Sequence, residues 1–353
     1  MEVTPVNNSS NKPKSRVSFW LALIFGIGLA LSVLLNLILF VMVVSNFASP
    51  GAFQDSQDRR YRERFVSGDA SSDNKILLLP ISGVIMSGGQ SSGFWGAATD
   101  PVQTVRDVLK RAESDRDVKA IILDINSPGG GVTASDNIHR ELKRFRHKRP
   151  DVIIVSYLGE VAASGGYYVA MPGNRIVVHP TSITGSIGVI ASMLNMEGLF
   201  QKIGLRSEVI KSADKKDIFS GTRPMTAEER VIMQAMIDEM YQRFVGIVSE
   251  GRPNLTRSEI LKLADGRIYT GEQAVKNGLA DESGDREDAF ETAKKLAKVT
   301  DARLVQYQKR HDFWELFEAS AFFQPQGLTA NIKSILLERN TPHLLYLWQM
   351  EPR

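Results

Sequence analysis

Hydrophobic positions along the chain follow two regimes. Residues 17–44 form one uncharged apolar run, VSFWLALIFGIGLALSVLLNLILFVMVV, longer than the roughly 20 residues a helix needs to cross hydrocarbon. From Lys75 onward, short apolar runs alternate with amphipathic stretches, the pattern of an α/β fold with largely parallel strands. The runs ILLLPISGVI (76–85), AIILDIN (120–126), VIIVSYLG (152–159) and RIVVHP (175–180) predict strands rich in Ile and Val, as expected where both faces of a sheet are covered. Segments 101–114 and 132–148 carry apolar residues at helical spacing with charges opposite, and predict crossover helices. Thr226 followed by Glu229 makes a capping box that opens a helix running to Arg252, predicted to be the longest after the apolar run. Shorter helices are predicted at 257–264, 271–277 and 287–298, a strand at 303–309, and a last amphipathic piece at 331–337.

The flanks of the apolar run give it a direction. Lys12, Lys14 and Arg16 precede it against Glu2 alone, so the positive-inside rule puts residues 1–16 in the cytoplasm, 17–44 in the lipid bilayer as a single anchor, and the remainder outside. A cleaved signal peptide or a buried core helix would each require a shorter run, although SNFASPGAF (45–53) resembles a weak cleavage site. Residues 45–74 are polar and rich in Gly, Ser and Asp, and read as a linker to a domain spanning 75–300, with 301–353 as a C-terminal extension.

Composition narrows the chemistry. The 43 basic and 40 acidic residues of the 353 leave a net charge of +3 with no long basic stripe beyond the N-terminal region, so nucleic acid is not expected as a partner. The absence of cysteine removes thiol nucleophiles and thiolate metal sites. Of five histidines, His139 and His147 are expected on a solvated helix face, His179 ends a strand before Pro180, and His311 and His343 lie far from any glycine-rich loop. A serine-histidine-aspartate triad is therefore not expected.

Two glycine-rich segments carry candidate chemistry. NSPGGG (126–131) follows one predicted strand and precedes a helix, a setting in which backbone N–H groups converge on an anion or a developing oxyanion. AASGGYYVA (162–170) follows another strand and places Ser164 between small residues at a helix start, with the Gly165 N–H beside any carbonyl that approaches. The plain alternatives are a strand-to-helix turn for the first and an N-cap serine for the second. A serine hydroxyl needs a base to attack. With no histidine suitably placed, a lysine is the remaining choice, and it must be neutral to act, through burial or a neighbouring positive charge. The stretch VIKSADKKDIFSG (209–221) offers Lys211, Lys215 and Lys216, which otherwise read as a charged surface loop.

Taken in order, NSPGG, ASGGYY, TGSIG (184–188) and VIKS…KD resemble the signal peptide peptidase A family, over roughly residues 75–299. The resemblance implies a Clp protease/crotonase-like α/β fold of ββα units and a Ser-Lys dyad serine peptidase that requires no metal or other cofactor. It assigns Ser164 as nucleophile, Lys216 as general base, Ser186 as the partner that orients the lysine, and Gly130 or Gly131 with Gly165 as the oxyanion hole. The chain has one such catalytic region, which resembles the short members that assemble into a homo-oligomeric ring with sites shared between subunits. The implied substrates are cleaved signal peptides, and a small apolar specificity pocket is expected. An acyl-CoA hydratase or isomerase shares the architecture but uses paired carboxylates, which are not found here; a catalytically silent scaffold of the same fold is the other alternative.

Overall fold

The computed structural model describes residues 16–47, 61–88, 100–309 and 344–348. The chain divides into two compact units, Met1–Arg60 and Tyr61–Arg353. The first contains α1 (Arg16–Phe47), a helix long and apolar enough to cross a membrane. Its one mid-run amide, Asn36, donates to the Ser32 carbonyl at 2.7 Å, which holds one of its N–H groups within the helix itself.

The second unit begins with β1 (Tyr61–Gly68) and β2 (Lys75–Ser82), followed by α2 (Pro101–Ser114), β3 (Val118–Ser127), the short β4 (Gly129–Gly131) and α3 (Val132–Lys148). Then come β5 (Ile153–Ala163), α4 (Gly165–Ala170), β6 (Arg175–Val178), β7 (Ile183–Gly185), β8 (Ile190–Ala191) and α5 (Glu197–Lys202). After a 3-10 turn at Asp214–Asp217 lie α6 (Ala227–Gly251), α7 (Arg257–Leu263), β9 (Ile268–Thr270), α8 (Gly271–Lys276), β10 (Glu282–Ser283), α9 (Arg286–Ala297), β11 (Arg303–Lys309) and β12 (Leu344–Leu347).

The main sheet runs β1-β11-β2-β3-β5-β6-β10, parallel throughout except for β1 on β11. Alternation along β3 explains why both faces are covered. Ile121, Leu123 and Ile125 join the core beneath α2, α3, α4 and α6, while Ala120 and Ile122 meet Ala289, Phe290 and Ala293 of α9 on the opposite face. β5 is long enough to serve two partners. Val155 to Leu158 pair with β6, and Val161 to Ala163 pair with β7, so its C-terminal end projects past the main sheet. A separate three-stranded sheet, β4-β12-β8, is antiparallel.

The predicted strands and crossover helices fall where the apolar pattern put them, and Thr226 and Glu229 form the expected reciprocal cap of α6. Two boundaries differ. Residues 61–68 were expected in the linker, yet they form β1, and 303–309, expected in the extension, form β11 between β1 and β2. YRERFVSG is an edge strand, where charge is compatible with pairing, and Glu63 is held by Lys75 at 3.0 Å. The helix predicted at 331–337 lies outside the described residues.

Candidate active site

The strand-to-helix junction at Ser164 is strained. Ala163 makes the last pair of β5, opposite Gly185 of β7, and Ser164 then takes φ 52 and ψ −115 before α4 begins. That conformation is costly for a residue bearing a Cβ, on the order of 1–3 kcal/mol, and persists only where the surroundings impose it. Here they do: the Ser164 N–H donates to Gly185 O at 2.8 Å and its carbonyl accepts from Tyr168 N at 2.9 Å. Ser164 occupies the N-cap position, but its side chain makes no capping bond, so the hydroxyl is not spent on the helix. The residue is 1% exposed.

The two glycine segments meet backbone to backbone. A Cβ on Gly165 would lie 2.5 Å from Ser135 Oγ and 3.1 Å from both Gly129 Cα and Gly130 N. Gly129, with φ +101, would place a Cβ 2.6 Å from Gly165 N. Only glycine permits this approach, and as the first residue of α4 Gly165 has an N–H with no acceptor inside its own helix. The Gly130 amide and the Gly165 amide thus lie at one junction, beside Ser164. Of the two glycines expected as alternative amide donors, Gly131 donates its N–H to Ile85 O at 2.8 Å, and Gly130 stands opposite Tyr346 in the β4–β12 ladder. Ser127, the serine of the same motif, is fully buried and accepts from Gly129 N at 3.1 Å, which shapes the turn.

Ser186 leaves β7 as Ser164 leaves β5, with φ 49, and its N–H donates to Arg267 O at 2.8 Å. The lysine segment is placed differently. Lys216 stands on the exposed 3-10 turn and, among the described residues, its ammonium has no hydrogen-bond or ion-pair partner, neither Ser164 nor Ser186 included. Its neighbours are both engaged. Lys211 donates to Asp217 at 2.7 Å and to Asp214 O at 3.0 Å, and Lys215 pairs with Glu228, whose hydrogen bond raises the lysine's pKa. Asp217 also takes two bonds from Arg223, at 2.9 and 2.7 Å, and Arg223 in turn grips Glu229 at the start of α6. Those bonds hold the Asp217 and Glu229 carboxyls below the usual carboxylate range, Arg223 being the first cause for each, and they pin the turn to α6.

His139 departs from its expected position. It is 4% exposed, with its ring edge against Tyr168 at 5.3 Å, and burial, reinforced by Lys143, lowers its pKa to about 4. His147, eight residues on, is exposed as expected. Eight residues advance a helix by about 80° beyond two turns, enough to separate a core position from a solvated one.

A buried serine on a strained strand-to-helix junction, backed by convergent amides in a parallel α/β framework, defines a serine hydrolase. Residues 146–300 match the model of peptidase family S49. A protein of Enterococcus faecium that carries the name signal peptide peptidase SppA is 39% identical over 240 residues, 68% of this chain and 69% of that relative. A protein of Synechocystis sp. named as a protease is 39% identical over 227 residues, 64% of this chain and 76% of the relative. Protease 4 of Salmonella typhi is 37% identical over 248 residues, 70% of this chain and 39% of the relative. The chain belongs to peptidase family S49, and it is a serine peptidase of the Clp protease/crotonase-like fold.

Proposed function

We propose that the protein is a membrane-anchored endopeptidase that degrades cleaved signal peptides or other short membrane-associated peptides, with Ser164 as nucleophile and Lys216 as base. The observation that carries the assignment is the Ser164 junction, whose hydroxyl caps nothing and whose neighbouring amides converge. In the reaction Ser164 Oγ attacks the scissile carbonyl and Lys216 Nζ takes its proton. The amides of Gly130 and Gly165 receive the oxyanion, and Lys216 returns the proton to the departing amine. Water then hydrolyses the acyl-enzyme by the same path. Ser186, on the strand end beside Ser164, is suited to orient the lysine amine.

Lys216 is the base of choice because Lys211 and Lys215 are held by carboxylates. The lysine-bearing region also exposes Leu194, Leu199, Ile203, Leu205, Val209 and Ile210, the last 97% accessible. Apolar side chains so concentrated call for a covering surface. A homo-oligomeric ring supplies one, and burial at a subunit boundary favours the neutral amine that the mechanism needs. On this reading Lys216 meets Ser164 between neighbouring copies. The anchor is α1, its N-terminus in the cytoplasm and the catalytic unit outside.

The test is complementation. Ser164→Ala and Lys216→Ala are each inactive towards a reporter peptide in detergent, whereas the two variants expressed together form mixed oligomers in which some boundaries join an intact serine to an intact lysine. Cleavage by the mixture supports the shared site, and a mixture as inert as its components removes it. If either single variant retains the wild-type rate, the dyad itself is wrong.

A further inference from the structure

Between Leu23 and Val41, the stretch of α1 fit to cross a membrane, two side chains are polar: Ser32 and Asn36. Ser32 is the middle residue of that stretch, and at about 1.5 Å per residue Asn36 stands about 6 Å further along the axis. A hydrocarbon core extends about 15 Å to either side of its midplane, so the amide lies at a depth without water. A side-chain amide offers two N–H donors and a carbonyl oxygen. One N–H goes to Ser32 O at 2.7 Å, and among the described residues the other N–H and Oδ1 have no partner. In lipid a polar group left unanswered is costly, and a protein partner is what remains to answer it.

The face that carries the amide is built for close approach. Gly28, Ser32 and Asn36 recur every four positions, and each step advances the helix by only about 40°, so the three share one side. No atom lies within 4 Å of the place a Cβ on Gly28 would take. With a glycine and a serine there, a second helix backbone can come near enough for the short Asn36 side chain to span the gap. The opposite side, with Leu23, Ala30, Leu34 and Val41, is wholly apolar.

The chemistry of the amide selects the partner. In a two-fold pair the free N–H of one Asn36 meets Oδ1 of the other, and the reverse bond forms at the same depth. A different helix would have to carry both a donor and an acceptor at that depth, whereas a second copy does so by identity. We infer that α1 pairs with α1 of a second copy of the chain inside the bilayer, across Gly28, Ser32 and Asn36, with the two amides bonded to each other. The inference rests on the reading of α1 as a membrane anchor, and it is independent of the dyad and of any contact made by the catalytic unit.

Because the chain has no cysteine, a single introduced thiol reports on one position. The full chain in membranes carries Ser32→Cys or Leu39→Cys on the Asn36 side, or Leu34→Cys or Val41→Cys on the other, and is oxidised with copper phenanthroline. Dimer is expected to form roughly 3- to 30-fold faster on the Asn36 side, a preference retained in Asn36→Gln and lost in Asn36→Leu. Contacts made elsewhere in an oligomer raise all four positions alike, so the preference stands apart from them. Equal rates at the four positions, or a preference that survives Asn36→Leu, overturn the pairing. A cross-linked product of other than twice the chain mass overturns the second copy as the occupant. Alkaline carbonate extraction of the same membranes tests the anchor separately. Release of the wild-type chain removes the anchor and the inference with it, whereas retention with equal cross-linking removes the pairing alone.

Discussion

Ser164 and Ser186 leave paired neighbouring strands at the same level, each one position beyond the Ala163–Gly185 pair, and both do so with positive φ, 52 and 49. Neither is glycine, so each side chain is retained where the backbone would prefer its loss. The strain separates function from stability at Ser164. Ser164→Gly removes both hydroxyl and Cβ. It is expected to abolish cleavage while stabilising the fold by about 1 kcal/mol, a rise of roughly 2–4 °C in Tm. Ser164→Ala keeps the Cβ and is expected to lose cleavage as completely, roughly a millionfold, with no such gain. Differential scanning calorimetry of the two variants beside wild type checks the split.

The lysine triplet makes a second comparison. Lys211→Ala frees Asp217 of one of its partners, and Lys215→Ala frees the exposed Glu228, but both leave in place the amine of Lys216, which has no partner among the described residues. Substantial activity is expected in both variants and none in Lys216→Ala. Arg223→Ala is different in kind, since Arg223 ties Asp217 to Glu229 and so holds the turn on α6. It is expected to lower kcat several-fold, because the turn that carries Lys216 loses its tie to α6. The folded pKa values of Asp217 and Glu229 are depressed, so their contribution is complete above the ordinary carboxylate range and is lost as pH falls through the depressed values. Rates after brief acid exposure should accordingly fall at higher pH in Arg223→Ala than in wild type.

Legibility of the sequence varied with the scale of the signal. The parallel strands and their crossover helices announced themselves because burial on both faces of a sheet demands continuous Ile and Val, and residues 120–126 show it plainly. The glycine that follows Ser164 was legible for a related reason: no Cβ fits at Gly165 against the Gly129–Gly130 turn. β1 was not, because an edge strand tolerates charge and YRERFVSG carries no apolar run. His139 was not, because a helical position at the margin of the apolar stripe is decided by what packs on it, in this case Tyr168. The aromatic cluster at Tyr346 was least legible of all. Tyr168, Phe244 and Tyr346 are separated widely in sequence, and only the strand pairing of β12 brings the last of them to the other two.

The glycines of the candidate oxyanion hole are not equivalent, and alanine distinguishes them. At Gly165 a Cβ meets Ser135 Oγ at 2.5 Å and the Gly129–Gly130 backbone at 3.1 Å, so the two loops must part. At Gly131 the nearest atom is Met86 Sδ at 3.6 Å, an ordinary contact, and φ is −61. Gly165→Ala is expected to reduce kcat about a hundredfold or more by displacing donors from the oxyanion, and Gly131→Ala to stay within a few-fold of wild type. Steady-state kinetics on both, with Tm as a control for folding, checks the difference.

Orientation in the membrane is open to direct measurement because the chain has no cysteine. A single introduced thiol is then the only one present. Asp73→Cys, placed ahead of β2, is expected to react in intact cells with a maleimide that does not cross membranes, and Asn8→Cys to react only after lysis. The reverse pattern would invert the assigned topology, and equal reaction of both would remove the anchor.

His139 supplies a pH dependence whose sign is fixed by its burial. Folding lowers its pKa from 6.5 to about 4, chiefly through desolvation, with Lys143 and Arg243 adding to the effect and Asp136 and Glu250 opposing it. The unfolded chain therefore takes up a proton between these values that the folded chain refuses. Stability is unaffected above pH 6.5 and declines as pH falls toward 4, by up to about 3 kcal/mol from this one group. His139→Gln has no proton to gain, so its stability is expected to change less over the same window, even if lost packing on Tyr168 lowers its stability at pH 7. Thermal melts of both proteins at half-unit intervals from pH 7 to pH 4 measure the difference directly. Parallel curves would place the imidazole in solvent, away from the aromatic enclosure that Tyr168 and Phe244 build.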